Sequence, residues 1–127
     1  MNLNLHDKTA LISGSTKGIG FAIASQLAAE GAQVIINGRT DPTVAAALEK
    51  IRQLTPEAKV EGFTGDLANA ESVELLHKRF PTVDILVNNL GIFEPKPFEE
   101  IPDDDWRRFF EVNVLSGVRL SRVYLGH

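Results

Sequence analysis

LISGSTKGIG, residues 11–20, places three glycines and a lysine directly behind a short apolar run, and helix-like sequence follows at once. A helix N-terminus exposes unpaired backbone N–H groups and partial positive charge, so a glycine-rich turn leading into one can hold a phosphate against the main chain. Gly14, Gly18 and Gly20 suit that task. Gly14 makes the sharp exit from a strand, Gly18 lets a pyrophosphate approach the backbone, and Gly20 lets the helix pack closely on the sheet. Ser15, Lys17 and Ile19 fill the turn and join them as candidate phosphate contacts. An ordinary glycine-rich loop would show the same spacing; the position between a first strand and an amphipathic helix favours the phosphate reading.

Working outward, Lys8 to Ser13 reads as a short buried strand, and Gly18 to Glu30 as a helix with Ile19, Ile23 and Leu27 on one face and Gly31 as its C-cap. Gln33 to Asn37 is a second strand. Asp41 as N-cap and Pro42 at the first position open a second helix carrying Val44, Leu48, Ile51 and Leu54, and Pro56 ends it. Val60 to Thr64 is a third strand, Asn69 to Phe80 a third helix presenting Val73, Leu76 and Phe80, and Asp84 to Asn88 a fourth strand. The proline-rich, acidic segment EPKPFEEIPDDD suits a loop, with room for a short helical turn, and the last helix begins near Asp105 and runs to the end of the chain. Strands alternate with helices and are rich in Val and Ile without strict polar alternation. That pattern predicts an α/β fold, a doubly wound parallel sheet with helices on both faces, in one domain spanning 1–127. Right-handed crossovers place the strands in the order 3-2-1-4.

With 127 residues, 43% apolar and 24% charged, the composition is that of a single globular unit. The net charge of -4, with Lys and Arg scattered among acids, argues against a nucleic-acid partner. There is no Cys, and His6, His77 and His127 lie far apart, so no metal site is expected. No apolar run approaches the roughly 18 residues of a membrane span. The start MNLNLHDKTALIS lacks the pattern of a leader, so the expectation is a cytoplasmic protein with no membrane partner.

The G-x-x-x-G-x-G spacing of Gly14, Gly18 and Gly20 resembles that of the short-chain dehydrogenase/reductase family, in its simple single-domain branch. Further matches follow in chain order: Asp66-Leu67 after the third strand, Asn88-Asn89-Leu90-Gly91 against the family's Asn-Asn-Ala-Gly, and Asn113 against its helix-borne catalytic Asn. The resemblance implies that Asp66 hydrogen-bonds an adenine amino group with Leu67 beside it, that Asn89 and Gly91 line the cofactor, and that Asn113 helps hold a water in a proton relay. Leu90 departs from the family's Ala. Taken alone, Asp66 also reads as a loop acid or helix cap, and Asn88, Asn89 and Gly91 as a simple strand-to-loop turn. Asn113 is a mediocre helix former among Phe110, Val112, Val114 and Leu115, so little solvent is expected around it; a solvated polar position is the other reading.

The second strand ends Asn37-Gly38-Arg39, beside the expected adenosine ribose, with no acid to bond the free hydroxyls of NAD. Asp41 is explained as a helix cap, which leaves Arg39 as the nearer selector. Lys17, a cation at a helix N-terminus, makes best sense with an anion nearby, although a solvated loop lysine would read the same. Together they favour NADP(H) over NAD(H).

The resemblance further implies a catalytic Ser and a Tyr-x-x-x-Lys beyond the helix that carries Asn113, and this chain ends at His127. The expectation is the cofactor-binding front half of an NAD(P)-dependent oxidoreductase that interconverts a carbonyl and an alcohol, truncated before its catalytic segment and inactive alone. A small-molecule substrate would need the C-terminal half. Tyr124, the sole Tyr, is expected to be a packing residue, because no Lys stands four positions on. The alternative is a nucleotide-binding or assembly module without catalysis. Self-association, a bound complementary fragment or aggregation is expected, because the final helix is apolar around most of its circumference between Phe109 and Tyr124 and the edge of the fourth strand is uncovered.

Overall fold

Four strands, β1 (Thr9–Ile12), β2 (Gln33–Gly38), β3 (Lys59–Thr64) and β4 (Ile85–Val87), pair in parallel in the order β3-β2-β1-β4, as the strand and helix alternation predicts. The structure is a computed structural model that describes residues 2–126; Met1 and His127, the last of the histidines weighed as ligands, lie outside the described residues. Ala10 stands opposite Val34 and Ile85, and Leu11 opposite Ile35 and Leu86. Alternate residues therefore feed opposite faces. Ala10, Ile12, Val34 and Ile36 pack under α1 (Gly18–Ala29) and α2 (Asp41–Leu54). Leu11 and Ile35 pack under α3 (Ala70–Arg79) and α5 (Ser116–Tyr124). Burial on both faces is why these strands read as continuous apolar runs.

The inner face of α1 differs from the sequence expectation. It is Gly20, Ala24 and Ala28 that are buried, while Ile19 is 75% exposed and Ile23 and Leu27 pack at the edge. The cause is distance: a Cβ on Gly20 would stand 2.6 Å from the Gly14 carbonyl oxygen and 3.0 Å from Ser15 Cα, so larger residues do not fit beneath this helix. The cap of α1 is Glu30, and Gly31 is the residue after it. In α2 the buried residues are Val44, Ala47 and Ile51, and Leu54 at the helix end faces solvent.

Thr40, not Asp41, caps α2: its backbone is extended, and its Oγ1 accepts the Thr43 N–H at 3.4 Å. Asp41 and Pro42 thus occupy the first helical positions, where a carboxylate suits the positive helix end and the missing proline N–H leaves no bond unmade. Asn69 caps α3 by accepting the Ser72 N–H at 2.8 Å.

The last helix is not one uninterrupted rod. After a 3-10 turn at Phe98–Glu100, α4 (Asp103–Phe110) starts earlier than expected, its three aspartates favoured by the helix dipole. A π turn at Glu111–Leu115 then joins it to α5. Among the described residues no helix is long and apolar enough to cross a membrane.

Candidate functional site

Because the strands are parallel, the residues following each of them emerge at one edge of the sheet. Chain direction across the sheet reverses between β1 and β4, since β2 and β3 lie on one side of β1 and the next strand returns to the other. A crevice at such a reversal is where open α/β sheets bind ligands. The glycine turn leaves β1 at this point.

Gly14 and Gly18 both have positive φ, +57 and +63. A Cβ on Gly18 would meet nothing within 4 Å, so open space lies on the side where a side chain would stand. The first intrahelical bond from this end of α1 joins the Phe21 N–H to the Lys17 carbonyl at 3.3 Å. The N–H groups of Gly18, Ile19 and Gly20 therefore have no acceptor within the helix. Lys17, Gly18 and Ile19 are exposed at the tip, while Gly20 is buried against the sheet.

Two residues that sequence reasoning passed over hold the turn in shape. Ser13 Oγ accepts the N–H groups of Asn89 and Leu90, each at 3.0 Å, and Asn89 Nδ2 donates to the Gly14 carbonyl at 3.0 Å, which ties the end of β4 to the turn. Asn37, 1% exposed at the end of β2, accepts the Gly14 N–H on Oδ1 at 2.9 Å and the Ser15 N–H on its carbonyl at 2.8 Å. The only sequence signal for either was a polar residue ending an apolar strand. Ser15 is fully buried; its hydroxyl donates to the Ile12 carbonyl at 2.7 Å and accepts the Asn37 N–H at 2.9 Å, so it shapes the turn from within.

Lys17 stands exposed at the start of α1 and Arg39 exposed just past the end of the neighbouring strand β2, neither in an ion pair among the described residues. Asp66 is exposed after β3, its Oδ1 accepting the Ala68 N–H at 3.0 Å, while Leu67 is fully buried and anchors the loop. From the other side, Arg119 of α5 donates to the Ala68 carbonyl at 2.7 Å and pairs with Glu111 at 3.0 Å.

Asn113 lies in the π turn, a feature frequent at functional positions in helices. Its side chain clasps one peptide, accepting the Ile92 N–H at 2.7 Å and donating to the Ile92 carbonyl at 3.1 Å, next to Gly91. The expectation of little solvent here does not hold, since Asn113, Phe110 and Val114 are exposed. The core is met by Ser116 and Leu120; Phe110 and Val114 face outward, while Val112 and Leu115 are half-buried. Asn88 bonds Ser121 Oγ at 3.2 Å. Tyr124 is 5% exposed, donates to the Phe80 carbonyl at 2.8 Å, and burial pushes its pKa up to about 12.

A concavity of about 620 Å³ lies at the opposite edge of the sheet and is lined by Asn2, His6, Glu30, Gly31, Glu57 and Lys59. It sits at the C-terminal end of α1, where the helix dipole is negative, and it carries two glutamates; an anion is better held at the glycine turn.

A family model described as short chain dehydrogenase matches residues 8–127. The chain is 55% identical over 125 residues to the uncharacterized oxidoreductase YvaG of Bacillus subtilis, covering 98% of this chain and 47% of that protein. It is 44% identical over 128 residues to the uncharacterized oxidoreductase YvrD of the same organism, covering 98% and 48%. Among solved structures, L-sorbose reductase from Gluconobacter frateurii, complexed with NADPH and L-sorbose, superposes with a TM-score of 0.88 at 32% identity, covering 98% of this chain and 49% of that one. The chain spans about half the length of the curated relatives it matches. On the match from residue 8 onward, the parallel 3-2-1-4 sheet and the turn that opens it, this chain belongs to the short chain dehydrogenase family.

Proposed function

We propose that the chain is the nucleotide-binding portion of an oxidoreductase that interconverts a carbonyl and an alcohol, and that it binds NADP(H) in preference to NAD(H). The observation that carries this reading is the turn itself: open space beside Gly18, three N–H groups without helical acceptors, and two unpaired cations at one edge of the sheet. Gly14, Lys17, Gly18 and Ile19 would receive the pyrophosphate, with Ser15 and Gly20 setting the shape of the turn. Arg39 would meet the 2'-phosphate, and Asp66 with the Leu67 backbone the adenine. Asn89 and Gly91 would border the rest of the dinucleotide. The nicotinamide supplies hydride when bound. NADPH in the Gluconobacter reductase supports the cofactor preference. Asn113 would serve the proton relay by fixing the peptide at Ile92 next to Gly91. Tyr124 would not be the proton donor, because its hydroxyl is engaged by the Phe80 carbonyl.

We also propose self-association through the outer face of α4 and α5, and no turnover by this stretch of chain alone. Calorimetry with NADPH tests the central assignment. The parent chain binds, and Gly18→Val, which fills the open space and strains a position at positive φ, weakens binding by at least about tenfold. Circular dichroism checks that the variant is folded. Unchanged affinity in a folded variant would remove the phosphate assignment.

A further inference from the structure

The end of β2 carries an arrangement that the assigned contacts do not use. Asn37 joins two segments that approach the nucleotide site from opposite sides. Toward the glycine turn it accepts the Gly14 N–H at 2.9 Å, and its main chain exchanges bonds with Ser15 at 2.8 and 2.9 Å. Toward the loop that ends in Asp66, its Nδ2 donates to the Phe63 carbonyl at 3.2 Å and to the Gly65 carbonyl at 3.0 Å. The next residue continues the link, since the Gly65 N–H donates to the Gly38 carbonyl at 2.9 Å.

The chemistry demands a primary amide. The turn offers a donor and the loop offers acceptors, so one side chain must accept on one side and donate on the other, and this also fixes which way the amide points. An aspartate could receive the Gly14 N–H but would set an oxygen against two carbonyls, and a serine is too short to span both. At 1% exposure no water replaces a lost bond cheaply.

We infer that Asn37 is a positioning residue that holds the glycine turn and the Asp66 loop at one fixed separation, so that a ligand bearing both an adenine and phosphates engages both ends at once. The inference rests on the nucleotide reading given above. Two contacts on one rigid ligand gain from each other only while the spacing of their sites is held, and a loose spacing forfeits that gain while leaving each contact intact.

The test titrates the parent chain, Asn37→Asp and Asn37→Ser by NMR with three probes: 2',5'-ADP, which reaches both ends, and adenosine and inorganic pyrophosphate, which each reach one. Positioning predicts that 2',5'-ADP affinity falls by about tenfold or more while each one-ended probe changes by less than about twofold. Equal losses for all three probes, the signature of a smaller folded fraction, would overturn it, as would undiminished 2',5'-ADP binding. Hydrogen exchange on the ligand-free proteins reads the coupling independently. The amides bonded across the link, those of Gly14, Ser15 and Gly65, should exchange faster in Asn37→Ser while Leu11, Val34 and Ile36 keep their protection; a uniform loss of protection would count against the proposal. If the parent binds none of the probes, the nucleotide reading fails, and the exchange pattern still decides whether Asn37 links the two segments.

Discussion

Arg39 stands exposed just past the end of β2, and its charge makes cofactor selectivity the property most easily moved by one substitution. Arg39→Asp exchanges a phosphate partner for a hydroxyl partner, so competition binding should show preference moving from NADPH toward NADH; equal weakening of both would deny Arg39 that role. Tyr124 gives a second check. It is the sole Tyr, and its folded pKa of about 12 lies above the ordinary value of 10.0. A raised pKa means the unfolded chain loses the proton first, so the contribution is complete below the unfolded value and is lost as pH rises through the folded one. Tyrosinate absorbance should titrate near pH 12, and Tyr124→Phe should flatten the decline of stability across that alkaline range. Gly14, Gly18 and Gly20 were legible because their spacing reports backbone demands made within a few residues. Ser13 and Asn37 were not, since their bonds reach partners 22 to 77 positions away, which no local pattern encodes.

At the scale of elements, the sheet order and the helix positions could be read from the sequence because strands buried on both faces leave unbroken apolar runs between turn residues. Two features escaped. The inner face of α1 is made of small residues, so its packing does not announce itself as hydrophobic, and a π turn inside a helix preserves helical spacing closely enough to be invisible. The segment before α4 is tied to that helix by ion pairs that its prolines do not suggest. Arg108 forks onto Glu94 at 2.6 and 2.9 Å, and Lys96 reaches Asp105 at 2.5 Å. The hydrogen bond from Arg108 holds the Glu94 carboxyl below its usual pKa, and that from Lys96 does the same for Asp105. With folded values depressed, these contacts are complete above the ordinary carboxylate range and fail as pH falls through the lowered values. Hydrogen-exchange protection factors across residues 92–102, corrected for the slower intrinsic exchange at low pH, should therefore fall on acidification, and in Arg108→Met at neutral pH, with the thermal midpoint little changed because the pairs are exposed. Exchange insensitive to both would show that the ionic contacts do not order the segment.

Over the whole molecule, Trp106, Phe110, Val114 and Val118 follow one another at intervals of four along α4, the π turn and α5, between 42% and 53% exposed. An apolar stripe of this kind favours association. Sedimentation at rising concentration should show species larger than a monomer, and Phe110→Glu should return them to monomer without loss of NADPH binding; a parent chain that stays monomeric throughout would contradict the proposed interface. The account as a whole stands on where the nucleotide lies, and amide shift mapping of the isotope-labelled chain titrated with NADPH tests it most directly. Saturable shifts should gather along one sheet edge, at residues 14–20, Arg39, residues 65–67 and residues 89–91. Shifts confined to the opposite edge, around Asn2, His6, Gly31 and Lys59, or no saturable change at all, would contradict it.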